Sequence, residues 1–297
     1  VEALTMLRSS LPYLTKIVDT IALEKQFEGQ LTPALESTVP GIAFSKAIEL
    51  DKVNFSYPGS GAAALHDVNF CIQAGKMVGL VGFSGAGKST LVNIIAGLIP
   101  PESGHLKVDG VPITKDNYQS WLKRIGYVAQ APYLLDASLA ENVALSRWGE
   151  SIDRERVLEC CRMAALDFIE ELDDGIDTVL GERGVRLSGG QAQRVAIARA
   201  LYSEPELIIF DEATSSLDLK NEKSIHETIL SLREKVTMVI VAHRLSTVET
   251  CDALIWLDKG QVHMAGSVED VLPEYTAALS GSMEKVLPGN VAGAEAE

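Results

Sequence analysis

The 297-residue sequence has no long apolar run, few cysteines and fewer basic than acidic residues. No apolar stretch approaches the ~18 residues of a membrane span, and no signal peptide opens the chain. The four cysteines form no C-x-x-C pair, which argues against a disulfide framework or a zinc site and suits a reducing compartment. Lys and Arg total 26 against 41 Asp and Glu, giving a net charge of −15. That balance argues against nucleic acid as a partner.

A glycine-rich loop from Gly82 to Thr90 organises the sequence, because it fits the phosphate-binding pattern G-x-x-x-x-G-K-[ST]. It follows a short buried strand, 76–81, and precedes an apolar helix, 91–98. Backbone N–H groups of such a loop can turn toward an anion, and the helix N-terminus adds partial positive charge. Lys88 would reach the β- and γ-phosphates of a nucleotide, and the Ser89 hydroxyl would ligate Mg²⁺. The expected nucleotide contacts of this loop are Gly82, Ser84, Gly85, Gly87, Lys88, Ser89 and Thr90.

A second apolar run, 207–210, ends in the acids Asp211 and Glu212. A run that is apolar on both faces is typical of a central parallel strand, and ligands of such sheets bind beyond the carboxyl ends of the strands. Asp211 therefore suits a Mg²⁺ ligand, and Glu212 suits a base that orients or deprotonates the attacking water. His243 follows another buried run, 237–242, where a structural or a catalytic role is open.

Another glycine pair, Gly189 and Gly190, opens a helix that runs to about Tyr202. Ser188 is its natural cap, and the local pattern leaves open whether this helix start is only a cap or a second anion site. Tyr57 lies beside the turn 58–61, where an aromatic residue is by itself more typical of packing.

Together and in order, these segments resemble the nucleotide-binding domain of ATP-binding cassette (ABC) transporters over about residues 41–275. The resemblance implies an α/β fold: a P-loop NTPase (RecA-like) core with an antiparallel β subdomain and an inserted α-helical subdomain at about 132–200. It implies ATP and Mg²⁺ as cofactors. The expected domain spans 41–280, after an N-terminal helix and linker at 1–40, and a disordered tail follows at 281–297.

The resemblance also implies a role for each motif. Glu212 matches the catalytic glutamate, His243 the switch histidine, and Gln130 the Q-loop glutamine that joins Ser89 and Asp211 near Mg²⁺. Tyr57 matches the aromatic that stacks on adenine. In the family, the signature of one subunit closes on the ATP held by the other. The residues matching that signature and the D-loop are Ser188, Gly189, Gly190, Gln191 and Asp218.

Two features resemble exporter-type transporters: the turn 181–184 and the N-terminal helix, which looks like the end of a last transmembrane helix. Because the sequence begins at Val1, not Met, we expect a longer parent chain containing the transmembrane domain. We expect a second nucleotide-binding domain as the partner in a homo- or heterodimer. We expect the domain to lie on the cytoplasmic face of the inner or plasma membrane. The segments 142–184 and 250–252 resemble lipid-linked glycan flippases. The alternatives are a soluble ABC-type ATPase without a membrane partner and an importer ATPase subunit.

Overall fold

The computed structural model describes residues 41–147, 149–181, 185–213, 219–242 and 244–284. Contacts divide the chain into two units, Val1–Pro40 and Gly41–Glu297, and every described residue lies in the second. The predicted N-terminal helix and linker therefore lie outside the described residues. Among the residues that are described, no helix is both long enough and apolar enough to cross a bilayer.

Ten described strands form two sheets. In chain order they are β1 (Ala47–Phe55), β2 (Leu65–Gln73), β3 (Met77–Val81), β4 (Ser103–Val108), β5 (Val111–Pro112), β6 (Ile125–Val128), β7 (Leu207–Asp211), β8 (Thr237–Val241), β9 (Ala253–Asp258) and β10 (Gln261–Ser267). The first sheet has the order β2-β1-β4-β5 and is antiparallel. The second has the order β10-β9-β3-β8-β7-β6.

The second sheet is parallel from β9 through to β6, and only β10 pairs antiparallel, with β9. Its central strands β3 and β8 are buried along their whole length. Two hydrophobic clusters divide the alternating side chains of β7, so that Ile208 and Phe210 belong to one and Leu207 and Ile209 to the other. A sheet covered on both faces requires strands that are apolar on both faces, which is why these runs carry no polar alternation.

The antiparallel sheet contains a tight hairpin between β4 and β5, closed by Asp109 and Gly110. Both residues have positive φ, 50° and 79°, as a two-residue Asp-Gly hairpin turn requires. The register of β1 with β2 shifts between Leu50 and Val53, and Lys52 within this interval has φ 50°. The first strand is therefore irregular near Lys52.

The described α-helices, in chain order, are α1 (Lys88–Ile95), α2 (Tyr118–Leu122), α3 (Leu139–Val143), α4 (Arg154–Met163), α5 (Gly189–Tyr202), α6 (Leu219–Ser231), α7 (Leu245–Val248) and α8 (Val268–Glu284). Helices α3, α4 and α5 lie in the segment between β6 and β7, in the region predicted as the helical subdomain. Helix α8 ends at Glu284, four residues into the predicted disordered tail, because its backbone stays helical past Ser280. Residues 285–297 lie outside the described part of the chain.

Candidate nucleotide site

The loop between β3 and α1 has a backbone path that depends on glycine at two positions. Gly87 has φ 98°, and a Cβ there would lie 2.6 Å from the Ala64 carbonyl oxygen. A Cβ on Gly82 would lie 2.3 Å from the Leu257 carbonyl oxygen of β9. Contacts this short force the surrounding backbone to move, so the loop cannot keep its path with larger residues.

Lys88, the first residue of α1, is 7% exposed and folds back over the loop. Its Nζ donates to the carbonyl oxygens of Gly82 at 2.9 Å and Phe83 at 3.1 Å. Burial lowers the pKa of Lys88, while the carboxylates of Glu212 and Asp211 act in the opposite direction. The ammonium thus bonds the loop and is influenced by the charge of two acids, and a phosphate group would be a further partner.

The start of α1 is open to solvent beside this lysine. Ser84, Gly85 and Ser89 are exposed, and Gly87 at the N-cap has no side chain with which to cap the helix. The first N–H groups of a helix lack intrahelical partners and carry partial positive charge, so they are suited to binding an anion.

Tyr57 reaches the first turn of α1 from the segment after β1. Its hydroxyl lies 3.1 Å from Thr90 Oγ1, and its ring packs edge-on against Phe55 with centroids 5.0 Å apart. The ring is nevertheless 46% exposed. A half-exposed aromatic held beside the phosphate loop is suited to stacking on a nucleobase.

Asp211 and Glu212 emerge at the end of β7. The Asp211 carboxylate accepts a hydrogen bond from the Tyr127 hydroxyl of β6, at 2.7 Å from Oη to Oδ2. Burial and the Asp211 carboxylate raise the pKa of Tyr127 above its ordinary value, so the hydroxyl keeps its proton and remains a donor. Glu212 has φ 52°, and its N–H donates to Val241 O at 3.2 Å. A left-handed glutamate is an uncommon conformation that is concentrated at functional sites.

Gln130 follows β6 and is exposed. The carbonyl oxygen of Ala129, the residue before Gln130, accepts a hydrogen bond from the side-chain amide of Gln193 at 3.1 Å. Gln193 lies on α5 and is 1% exposed. This hydrogen bond joins α5, which begins at Gly189, to the segment that contains Gln130.

Ser188 is the N-cap of α5, as predicted. Its Oγ accepts from Gln191 N at 3.3 Å, while its own N–H donates to Gln191 Oε1 at 2.9 Å, which completes a capping box. Gly189 is exposed, whereas Gly190 is buried and a Cβ there would lie 2.7 Å from Asn221 Oδ1. The bonds described for Ser188 and Gln191 join these two residues to each other and include no member of the cluster around Lys88.

An aromatic group from α8 contacts the phosphate loop. The Tyr275 ring lies 6.3 Å from that of Phe83 and 5.5 Å from that of Trp256 on β9. Burial raises the pKa of Tyr275, while the backbone of Gly82 acts in the opposite direction. The last helix therefore packs against the loop that begins the site.

Tyr57 thus contacts Thr90 in the first turn of α1, and the charges of Asp211 and Glu212 act on Lys88 in the same turn. His243 and Asp218 lie outside the described residues, and their predicted roles stay predictions. No local sequence pattern marks Tyr127, Gln193 or Tyr275 as residues of this site. Tyr127 lies only three residues before Gln130, but its hydrogen-bond partner, Asp211, is distant in the sequence.

The donor set fits a nucleotide and a magnesium ion. Mg²⁺ prefers oxygen ligands and keeps several waters and phosphate oxygens, so it needs only one or two protein groups. Ser89 offers an exposed hydroxyl, and Asp211 offers a carboxylate of which Tyr127 takes one oxygen. In the described part of the chain, no cluster of three or more His, Cys, Asp or Glu residues could hold a metal by itself.

A parallel sheet, a glycine loop entering a helix at a lysine, and acids at the end of a second strand define a P-loop nucleotide-binding domain. The model of the ABC transporter family matches residues 65–215. The chain belongs to the ABC transporter family.

The comparisons also find individual relatives. The ATP-dependent lipid A-core flippase of Coxiella burnetii is 41% identical over 227 residues, which are 76% of this chain and 38% of that protein. The flippase of the same name from Escherichia coli K12 is 41% identical over 226 residues, or 76% of this chain and 39% of that protein. The chain thus spans about two fifths of the length of these curated relatives.

Among solved structures, a bacterial Atm1-family ABC exporter with ATP bound has a TM-score of 0.75 and 32% identity, and the match covers 93% of this chain and 48% of that one. These similarities confirm the predicted family and the predicted α/β fold with its antiparallel sheet. They also confirm that the chain carries an ABC-type ATP-binding domain.

Proposed function

We propose that this chain is the ATP-hydrolysing motor domain of an exporter-type ABC transporter, which dimerises head-to-tail to drive substrate export or flipping. The observation that carries the proposal is the cluster of Lys88, Asp211 and Glu212 around one open helix start. The named relatives, flippases and an exporter, support the subclass. The domain would act at the cytoplasmic face of a membrane, attached to a transmembrane domain.

Each residue of the cluster has a proposed task. Lys88 leaves the carbonyls of its own loop to bind the β- and γ-phosphates, and the ring of Tyr57 orients the adenine. Ser89, Asp211 and Gln130 would hold Mg²⁺, which neutralises charge on the phosphates when it is bound. Glu212 accepts a proton from the attacking water or orients it. His243 and Asp218 are proposed to complete the site.

We propose that the start of α5, with Gly189 and Gly190, acts on the nucleotide bound by the partner domain. Ser188, Gly189, Gly190 and Gln191 form a helix start with partial positive charge, but their described bonds do not reach the cluster of their own chain. In a two-fold dimer this helix start would face the ATP held by the partner. The cargo class, a lipid-linked glycan, rests on the named relatives and requires the whole gene product in lipid vesicles for its test.

A mixing experiment tests ATP hydrolysis and the shared site together. Lys88→Ala breaks the phosphate loop and Ser188→Arg blocks the signature, so each variant alone should be inactive. A mixed dimer contains one doubly damaged site and one intact site. Random mixing makes about half of the dimers mixed, so about a quarter of wild-type activity should return if the chain self-associates and the sites are independent.

The control replaces Ser188→Arg by the double variant Lys88→Ala/Ser188→Arg, with which no intact site can form. Phosphate release is measured at high protein concentration, and circular dichroism verifies folding, because loss of the Ser188 cap costs about 1 kcal/mol. If the two single variants stay inactive together while wild type is active, the shared site is wrong for this chain. If wild type is also inactive at that concentration and with saturating Mg²⁺ and ATP, the proposed hydrolysis is wrong.

A further inference from the structure

The sheet order brings one tyrosine to the proposed cation ligand. Strand β6 pairs in parallel with β7, with Tyr127 opposite Ile209 and Val128 opposite Phe210. Tyr127 packs with Leu207 and Ile209 in the same hydrophobic cluster, and Asp211 continues that alternation at the end of β7. Both side chains therefore lie on the face of the sheet that α1 covers.

We propose that Tyr127 is a positioning residue that fixes the Asp211 carboxylate and thereby sets the affinity of the nucleotide site for its divalent cation. The inference rests on the proposed function, in which Asp211 is a Mg²⁺ ligand. The 2.7 Å distance from Tyr127 Oη to Asp211 Oδ2 is short, as expected for a hydroxyl that donates to a charged acceptor. With Oδ2 bonded to Tyr127, Oδ1 is the oxygen that would bind the cation.

The same hydrogen bond also affects Lys88. The charges of Glu212 and Asp211 both favour the Lys88 ammonium. In the structure Asp211 bonds Tyr127, while Lys88 bonds the carbonyls of Gly82 and Phe83. Under this proposal, the bond to Tyr127 keeps the carboxylate for the cation, while Lys88 is left to bind a phosphate.

The test removes only the hydroxyl. Tyr127→Phe keeps the ring that packs against β7, and Tyr118→Phe on α2 removes the same group from a tyrosine outside the site. ATP affinity is measured by titration calorimetry in Mg²⁺ and again in excess EDTA. Partners that orient a metal ligand change metal affinity by about 10- to 100-fold, so we expect a loss on the order of 10-fold in Mg²⁺ for Tyr127→Phe. Affinity in EDTA, and both affinities of Tyr118→Phe, should remain at wild-type values.

A second background separates positioning from packing. In Asp211→Asn the cation ligand is already altered, so adding Tyr127→Phe should lower affinity in Mg²⁺ by less than it does in the wild-type background. An equal loss in Mg²⁺ and EDTA, no loss in either, or an undiminished loss in the Asp211→Asn background would overturn the inference while leaving the proposed function intact. A wild-type protein whose ATP affinity is the same in Mg²⁺ and EDTA would overturn the proposed cation site, and this inference with it.

Discussion

Glu212 is held in a left-handed backbone conformation directly after β7, with its N–H bonded to β8. That conformation turns the chain sharply at the end of the strand and separates the direction of Glu212 from that of Asp211. Two neighbouring acids can then serve two tasks, one toward a cation and one toward a water. Nothing in the local sequence requires this turn, because non-glycine residues adopt positive φ only when the surrounding structure imposes it.

Glu212→Gln should keep ATP binding and lose turnover. The amide has the size of the carboxylate but cannot accept a proton, and a general base typically contributes at least about 100-fold to the rate. Phosphate release and ATP affinity are measured on the same preparation. Glu234→Gln is the matched control, because Glu234 is an exposed glutamate whose backbone is also left-handed, with φ 67°. Turnover within a few-fold of wild type in Glu212→Gln would exclude Glu212 as the base.

At the scale of elements, Asp109 joins the β4–β5 hairpin to the start of β1. Its carboxylate accepts from the backbone N–H groups of Ser45, Lys46 and Ala47 and from the Ser45 hydroxyl, at 2.7 to 2.9 Å. Burial alone would raise the pKa of Asp109, but the hydrogen bonds from Ala47, Lys46 and Ser45 outweigh it and leave this pKa below its ordinary value. One turn residue therefore sets both the hairpin and the first strand.

Asp109→Asn should lower the free energy of unfolding at pH 7 by at least about 1 kcal/mol, because the amide NH₂ cannot accept the hydrogen bonds that one carboxylate oxygen accepts, and the bonds to the other oxygen lose its charge. A folded-state pKa below the unfolded value, about 3.9, contributes stability that is full above it and declines as pH falls through the folded value. The difference between wild type and variant should therefore shrink below about pH 4. Urea unfolding at pH 7, 5 and 3.5 measures it, and a difference that grows toward low pH would contradict the assigned bonds.

Sequence patterns predict some of these elements and contacts and not others. The β3 strand, the phosphate loop and α1 were predictable because each signal is local: a buried run, fixed glycines and an apolar helix. The hydrogen bond from Tyr127 to Asp211 joins residues 84 positions apart, and only the adjacency of β6 and β7 creates it. Sheet order depends on how all strands pack, so no local pattern carries it. The extent of α8 beyond Ser280 was likewise not encoded in a local stop signal.

At the scale of the whole molecule, the net charge of −15 opposes the proposed dimer. Two such chains repel each other over distances that salt shortens, since the Debye length is about 30 Å at 0.01 M and about 10 Å at 0.1 M. The trans contacts of Ser188 and its glycines must form against this repulsion. Self-association of the isolated domain is therefore expected to depend on ionic strength.

The ATP-bound dimer of Glu212→Gln should be tighter in 200 mM than in 20 mM NaCl, by several-fold in dissociation constant, because screening reduces the repulsion. Sedimentation at saturating ATP and Mg²⁺ measures the dimer, so that salt effects on nucleotide binding do not enter. KCl should act as NaCl does, because screening depends on ionic strength and not on the ion. Association that weakens with added salt would show that attractive charge pairs dominate the interface instead.

The contact of α8 with the phosphate loop gives the protein a natural optical label. Trp256 and Tyr275 lie 5.5 Å apart, and Tyr275 touches Phe83, which is part of the loop. Trp121, by contrast, is fully buried in the other hydrophobic cluster, with its indole N–H bonded to Ile95 O. Excitation absorbed by Tyr275 passes efficiently to an indole at this separation, so the emission of Trp256 carries information about the loop. In a variant that lacks Trp121 and Trp148, a shift of the loop around a phosphate is therefore expected to change the emission of Trp256, which can be followed without attaching a dye.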